Sequence, residues 1–271
     1  MFYFTCPVCG LALHEDEKSA HCKNGHTFDR GKPGYLNLLI RTKKSGGNHG
    51  DNKQMVLSRK KFLRAGYYQP LLDRLCETAD NHTGTGGTLL DSGCGEGYYT
   101  QALYHTLKEK QVTAAGIDIS KTAVASAAKA APAVHYAVAS AFDIPVAEES
   151  CSTVTAVFSP LCREEFLRIL KPHGILILVI PLEKHLWSLK KAVYDRPYEN
   201  VPAPVELEGF TFLERSDVRG QIRLESNEVI QDLFAMTPYY YKTSEKDQQK
   251  LCALTQLETE VEFGILTYRK A

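Results

Sequence analysis

LLDSGCGEGYYT, residues 89 to 100, ends a short apolar run in a carboxylate, Asp91, and follows it with Gly93, Gly95 and Gly97. Glycine suits such a turn because a ligand must approach the main chain closely and the chain must tolerate positive φ. A dinucleotide fingerprint, G-x-G-x-x-G, would need glycine at position 98, where Tyr98 stands, and a Walker loop would need Gly-Lys-Ser/Thr, which does not occur. On either side of the loop, apolar runs and helical stretches alternate. Strands are expected over 88–91, 112–118, 134–138, 153–158 and 175–180, with helices over 98–109, 121–130 and 163–170. That alternation implies a Rossmann-like α/β fold, a parallel sheet with helices on both faces. Two helices between 54 and 78 precede it, Pro70 fitting the first turn of the second. Strands at 222–224 and 259–268 and helices at 227–234 and 244–252 give the sheet an antiparallel end.

With 271 residues, the chain has room for one large core and a small appendage. Hydrophobic content of 44% and charged content of 24% are those of an ordinary globular protein. Net charge is zero, yet the first 75 residues hold 13 Lys and Arg against 6 Asp and Glu. This asymmetry points to an N-terminal surface that meets a polyanion, against the plainer reading of a solvated basic face. Neither a signal peptide nor a membrane-length apolar run is visible, so a cytoplasmic protein without membrane contact is expected. Eight cysteines in such a setting read as thiols or metal ligands rather than disulfides.

Cys6, Cys9, Cys22 and His26 form C-x2-C-x12-C-x3-H, two ligand pairs on tight turns separated by a short hairpin. A tetrahedral Cys3His zinc site requires that arrangement, and four protein ligands close the coordination sphere, which makes the ion structural rather than catalytic. A small zinc-binding domain is therefore expected over 1–36, a polar, Gly-rich linker over 37–53, and the catalytic domain over 54–271. Cys94, inside the glycine loop, reads as small and buried, and no remaining cysteine is assigned chemistry.

The D-x-G-x-G-x-G arrangement resembles motif I of the class I S-adenosylmethionine-dependent methyltransferases, in which the carboxylate helps orient the methionine end of the cofactor. Asp118, ending the next strand, is placed to accept both ribose hydroxyls. In the alternative, Ser120 caps a helix and Asp118 merely lies near its dipole. The stretch AVASAFDIP then lines the adenine. Many relatives have Asp where this chain has Ser140, so Ser140 and Ala141 are candidate contacts and Phe142 a packing group.

CPVC, CKNGHTFDRGKPGYLNLL, FLRAGYYQPL, EKHLWSLK and MTPYYY are far more specific. With them the chain resembles the bacterial 23S ribosomal RNA guanine-N1 methyltransferases. That resemblance implies a zinc-binding RNA-recognition domain joined to the methyltransferase domain, transfer of the methyl group to N1 of a guanine in a hairpin loop, and a plausible homodimer with no sequence signature of its own. It places Tyr68, Gly95, Glu96 and His185 at the cofactor, with a packed core role the alternative for Tyr68 and His185. The turn Phe158-Ser159-Pro160 is the candidate for holding the target base, unless Phe158 is simply the last core residue of its strand. The general base is not evident. Lys43, Lys44, Arg59, Lys60, Lys61 and Arg64 are expected to grip phosphates. A methyltransferase for a small molecule or protein, and a non-enzymatic zinc-containing RNA-binding protein, are the competing readings.

Overall fold

The computed structural model describes residues 4–40 and 50–271. Lys43 and Lys44, like most of the expected linker, lie outside the described residues.

The N-terminal module is a three-stranded antiparallel sheet, β1 (His14–Glu15), β2 (Ser19–His21) and β3 (Thr27–Asp29). It does not stand apart from the rest. Thr5 N–H donates to the Pro145 carbonyl at 2.9 Å, and Phe4, Leu13, Ala20 and Cys22 share one apolar core with Leu90, Ala115 and Val154 of the large sheet. β4 (Leu36–Asn37) joins that sheet directly, parallel to the strand at His135–Val138. Asn37, expected within the linker, is thus part of the large sheet.

Two helices follow, α1 (Lys53–Arg64) and α2 (Gln69–His82). The Asn52 side chain caps α1 by accepting from Met55 N at 3.0 Å, and Pro70 sits in the first turn of α2, where its missing N–H costs nothing. The alternating core comprises β5 (Thr88–Ser92), α3 (Tyr98–Thr106), β6 (Thr113–Asp118), α4 (Lys121–Ala130), β7 (His135–Val138), β8 (Cys151–Val157), α5 (Arg163–Ile169) and β9 (Leu170–Pro181). After α6 (Trp187–Val193) come β10 (Phe210–Leu224), α7 (Asn227–Ala235), α8 (Glu245–Cys252) and β11 (Leu257–Lys270).

The large sheet has strand order β10-β11-β9-β8-β5-β6-β7-β4, with β4 to β9 parallel and the last hairpin antiparallel. Strand order reverses beside β5, which pairs with β6 on one side and β8 on the other. In open α/β sheets such a switch point leaves a crevice at the carboxyl ends of the strands, where ligands bind. The alternation is the one read from the sequence. β10 is much longer than the expected 222–224, because it pairs with β11 along its whole length and its side chains are mostly exposed, so no apolar run marks it. The helix expected over 98–109 ends at Thr106 and gives way to a 3-10 turn over Lys108–Lys110.

Candidate functional site

At the carboxyl ends of the strands lies a cavity of about 820 Å³, bordered by the glycine loop, Asp118, Ser140, Ala141, Phe158 to Pro160 and His185. The glycine loop leaves β5 and enters α3. Gly93 has φ +80° and Gly97 φ +86°, conformations that side chains rarely adopt. Close packing also demands glycine. A Cβ on Gly93 would stand 2.4 Å from Ser159 Cβ, and one on Gly97 would stand 2.8 Å from Ala127 Cβ.

Asp91 is 1% exposed and accepts from Thr100 Oγ1, and from Thr155 Oγ1 at 3.0 Å. Burial raises its carboxyl to about 6, against the pull of those two hydroxyls. Asp118 accepts from Gly95 N at 3.0 Å and Ser120 N at 2.7 Å, so the second acidic residue holds the glycine loop by its main chain. Burial raises its carboxyl too, these two N–H groups opposing. Ser120 does cap α4, accepting from Ala123 N at 3.4 Å. Ser120 is thus the cap, and Asp118 borders the cavity.

Glu96 is 2% exposed, and among the described residues neither carboxylate oxygen has a hydrogen-bond partner. Burial raises its carboxyl, while Arg64, Lys60 and Arg59 act the other way. An unpaired buried carboxylate is costly and awaits a donor or a cation. The sulfonium and ammonium of S-adenosylmethionine are cations and its ribose offers two hydroxyl donors, so Glu96 and Asp118, which border the cavity, fit that ligand. Asp91 and Gly97, expected at the cofactor, do not border it: Asp91 is held by Thr100 and Thr155, and Gly97 packs against Ala127.

Ser140 Oγ accepts from Phe142 N at 3.1 Å, and Phe142, expected as a packing group, is 70% exposed. Tyr68 is buried against Phe62 and Phe263, with ring centroids 5.2 and 4.8 Å away, and still borders the cavity. His185 is also buried beside Phe263, at 4.7 Å, and Glu262 N–H donates to its Nδ1 at 3.2 Å. Burial, then the Lys190 cation, lowers the ring to about 3.

Phe158 lies one residue beyond β8 with φ +53° and is 44% exposed, so it is not the last core residue of the strand. Its ring faces His185 at a centroid distance of 6.4 Å with planes 16° apart.

Of the residues expected to grip phosphates, three already have partners. Arg59 is ion-paired to Asp51 and donates to the Met236 carbonyl at 3.2 Å, Lys60 Nζ donates to Ser126 Oγ at 3.2 Å, and Lys61 pairs with Glu228 at 2.9 Å. Arg59 and Asp51 border the cavity, and Asn52 Nδ2 donates to Tyr241 Oη at 3.1 Å. Residues 50–52 and the MTPYYY segment thus meet across one side of the cavity. Nothing local in the sequence marked Asp51 or Met236 for that role, because their partners lie on other elements.

In the zinc module, the ligand atoms of Cys6, Cys9, Cys22 and His26 all lie within 4.8 Å of one another. Cys9 Sγ and Cys22 Sγ are 3.7 Å apart, close to the roughly 3.8 Å expected of two thiolates on one tetrahedral zinc ion. His26 Nδ1 lies 3.5 and 3.4 Å from the sulfurs of Cys6 and Cys22. Burial opposes ionisation of Cys22, yet main-chain hydrogen bonds at His26 and Asn24 and its neighbours Cys9 and His26 bring the thiol down to about 6, whereas burial raises Cys6. The donor set suits a structural zinc ion.

Among the described residues, no helix is long and apolar enough to cross a membrane. Residues 4–46 match the zinc-ribbon family model described as "RlmA, N-terminal", and residues 89–174 match that of a methyltransferase domain. A solved Bacillus halodurans structure described as a "putative methyltransferase" shares the fold at a TM-score of 0.50 and 16% identity, covering 73% of this chain and 98% of that one. The Streptomyces fradiae "23S rRNA (guanine(748)-N(1))-methyltransferase" is 35% identical over 194 residues, 70% of this chain and 68% of its own. "Putative 23S rRNA (guanine-N(1)-)-methyltransferase YxjB" of Bacillus subtilis (strain 168) is 30% identical over 274 residues, 97% of this chain and 95% of its own. A methyltransferase-type crevice, a Cys3His cluster and relatives aligned over most of its length show that the chain belongs to the 23S rRNA (guanine-N1)-methyltransferase family.

Proposed function

We propose that the protein transfers a methyl group from S-adenosylmethionine to N1 of a guanine in a hairpin loop of 23S ribosomal RNA. The observation that carries this reading is one cavity bordered by acidic groups, the glycine loop and an exposed aromatic turn, in a chain of this family.

In this reading Gly93, Gly95 and Glu96 hold the methionine end of the cofactor. Asp118 takes the ribose hydroxyls, Ser140 and Ala141 border the adenine, and Tyr68 and His185 flank the reacting region. When bound, the cofactor supplies an electrophilic methyl group. Phe158, Ser159 and Pro160 receive the target base, which a hairpin loop can present unstacked to an aromatic face. Holding the two reactants in line supplies most of the acceleration.

Cys6, Cys9, Cys22 and His26 hold a structural zinc ion. The zinc-binding domain, 1–36, presents the RNA to the domain over 54–271 through the segment 37–53. Lys61 and Arg64, exposed on α1, extend that surface, and a homodimer is compatible with it. The experiment is methylation of unmodified 23S ribosomal RNA with labelled S-adenosylmethionine, followed by nucleoside analysis. 1-Methylguanosine is expected, and methyl transfer without it, or none in a cofactor-binding preparation, refutes the reading.

A further inference from the structure

We propose that His185 is a neutral hydrogen-bond donor to the target base, aimed at guanine O6, where it stabilises the anion formed at N1; the assignment rests on the guanine-N1 reading above. Main-chain N–H groups only donate, so the 3.2 Å contact from Glu262 N makes His185 Nδ1 an unprotonated acceptor. The single ring proton of the neutral imidazole then sits on Nε2. Among the described residues the ring makes its hydrogen bond through Nδ1 alone, and it borders the cavity beside Phe158. The ring thus lies next to the turn that, in the reading above, receives the base.

A second proton on His185 is opposed from every side. Tyr68, Phe158 and Phe263 pack against the ring without charge, Lys190 of α6 adds positive charge, and the Glu262 carboxylate is turned toward Arg219 at 2.9 Å and Lys184 N at 3.1 Å. With Nδ1 occupied and Nε2 protonated, the ring has no lone pair for a substrate proton. His185 is thereby a donor and not the general base.

Guanine N1 carries a proton at neutral pH. That proton leaves to water, and the negative charge left behind spreads over N1 and O6. A fixed donor at O6 stabilises this charge at no reorganisation cost. N1 then forms its bond to the methyl carbon as the sulfur–methyl bond breaks, its electron pair staying on sulfur. His185 keeps its own proton throughout.

Long-range 15N–1H correlation spectra of the labelled wild-type protein test the tautomer without any turnover. The Nε2–H form is expected from pH 5 to 8, and an Nδ1–H or doubly protonated ring overturns the proposal. In single turnover at saturating cofactor and RNA, H185F keeps an aromatic ring but no donor and is expected to lose on the order of 10²-fold in rate. The loss should persist at saturation whatever the change in cofactor affinity, and H185Q, which restores an N–H, should recover part of the rate. If H185F raises the cofactor Kd and regains full rate at saturation, His185 serves the cofactor alone. Wild-type 1-methylguanosine formation with an undiminished H185F rate defeats the role of His185 only. Failure of the wild type to form 1-methylguanosine defeats the underlying reading and this one with it.

Discussion

Ser159 Oγ donates to the Ser92 carbonyl oxygen at 2.6 Å, and Ser159 Cβ occupies the space that any side chain at Gly93 would need. This pair ties the turn carrying Phe158 to the strand end carrying Asp91. The glycine loop and the aromatic turn are therefore in direct contact, and a change in either is expected to be felt at the other.

Phe158→Ala removes the exposed ring while leaving the Ser159 tie in place. Base–aromatic stacking is worth about 1–3 kcal/mol, so KM for RNA should rise roughly 10- to 100-fold. Cofactor affinity, measured by calorimetry, should stay within experimental error of wild type. A matching loss of cofactor binding would show that Phe158 supports the donor side instead.

Asp118→Ala removes the acceptor of the Gly95 and Ser120 main-chain N–H groups as well as the proposed ribose contact. Hydrogen bonds to a charged group are worth about 1.5–3 kcal/mol, which corresponds to a loss of roughly 10- to 100-fold in cofactor affinity. Asp118→Asn should lose less, because its carbonyl oxygen still accepts one of the two. Titration of S-adenosylhomocysteine checks both.

Asp91 makes the ligand-free protein pH-sensitive in a definite direction. Its folded-state value of about 6 lies above the ordinary 3.8, so it contributes stability at low pH that is lost as pH rises through about 6. The stability difference between wild type and Asp91→Asn, from urea unfolding at pH 4.5 and pH 7, should shift by roughly 2 kcal/mol toward the variant at the higher pH. Binding of a cationic ligand prefers ionised Asp91, so cofactor affinity should fall as pH drops below about 6. That fall should be smaller in Asp91→Asn, where the raised carboxyls of Glu96 and Asp118 remain.

Cys22→Ser should release the zinc ion, read as metal stoichiometry by atomic emission. Zinc binding to such modules is worth about 10 kcal/mol or more of folding free energy, so the three-stranded sheet should lose its protection from hydrogen exchange. Because Phe4, Leu13 and Ala20 share a core with the large sheet, the thermal midpoint should fall as well. Cofactor binding by the glycine loop should survive.

Lys61 and Arg64 lie exposed on α1, and the Lys61–Glu228 pair is between two exposed side chains, worth little and easily exchanged for a phosphate. If each meets one phosphate of a single-stranded loop, Lys61→Ala and Arg64→Ala should each reduce the slope of log affinity against log salt by about 0.7. Arg59→Ala should instead harm cofactor binding, since its guanidinium is held by Asp51 and Met236 at the cavity.

What the amino-acid sequence determined by itself were the features whose cause is local. The apolar alternation from β5 to β9, the glycines forced by positive φ, the capping serines and the ligand spacing of Cys6, Cys9, Cys22 and His26 each depend on neighbours a few residues away. The extent of β10, the joining of β4 to the sheet edge and the pairing of Arg59 with Asp51 and Met236 were not legible. So too were the unpaired carboxylate of Glu96 and the tautomer of His185, set by Glu262 from 77 residues away. Their cause is a partner brought close only when the sheet closes, and a hydrogen bond or a buried charge has no meaning until its surroundings exist. The glycine loop announced a cofactor crevice, and tertiary packing decided what stands opposite it.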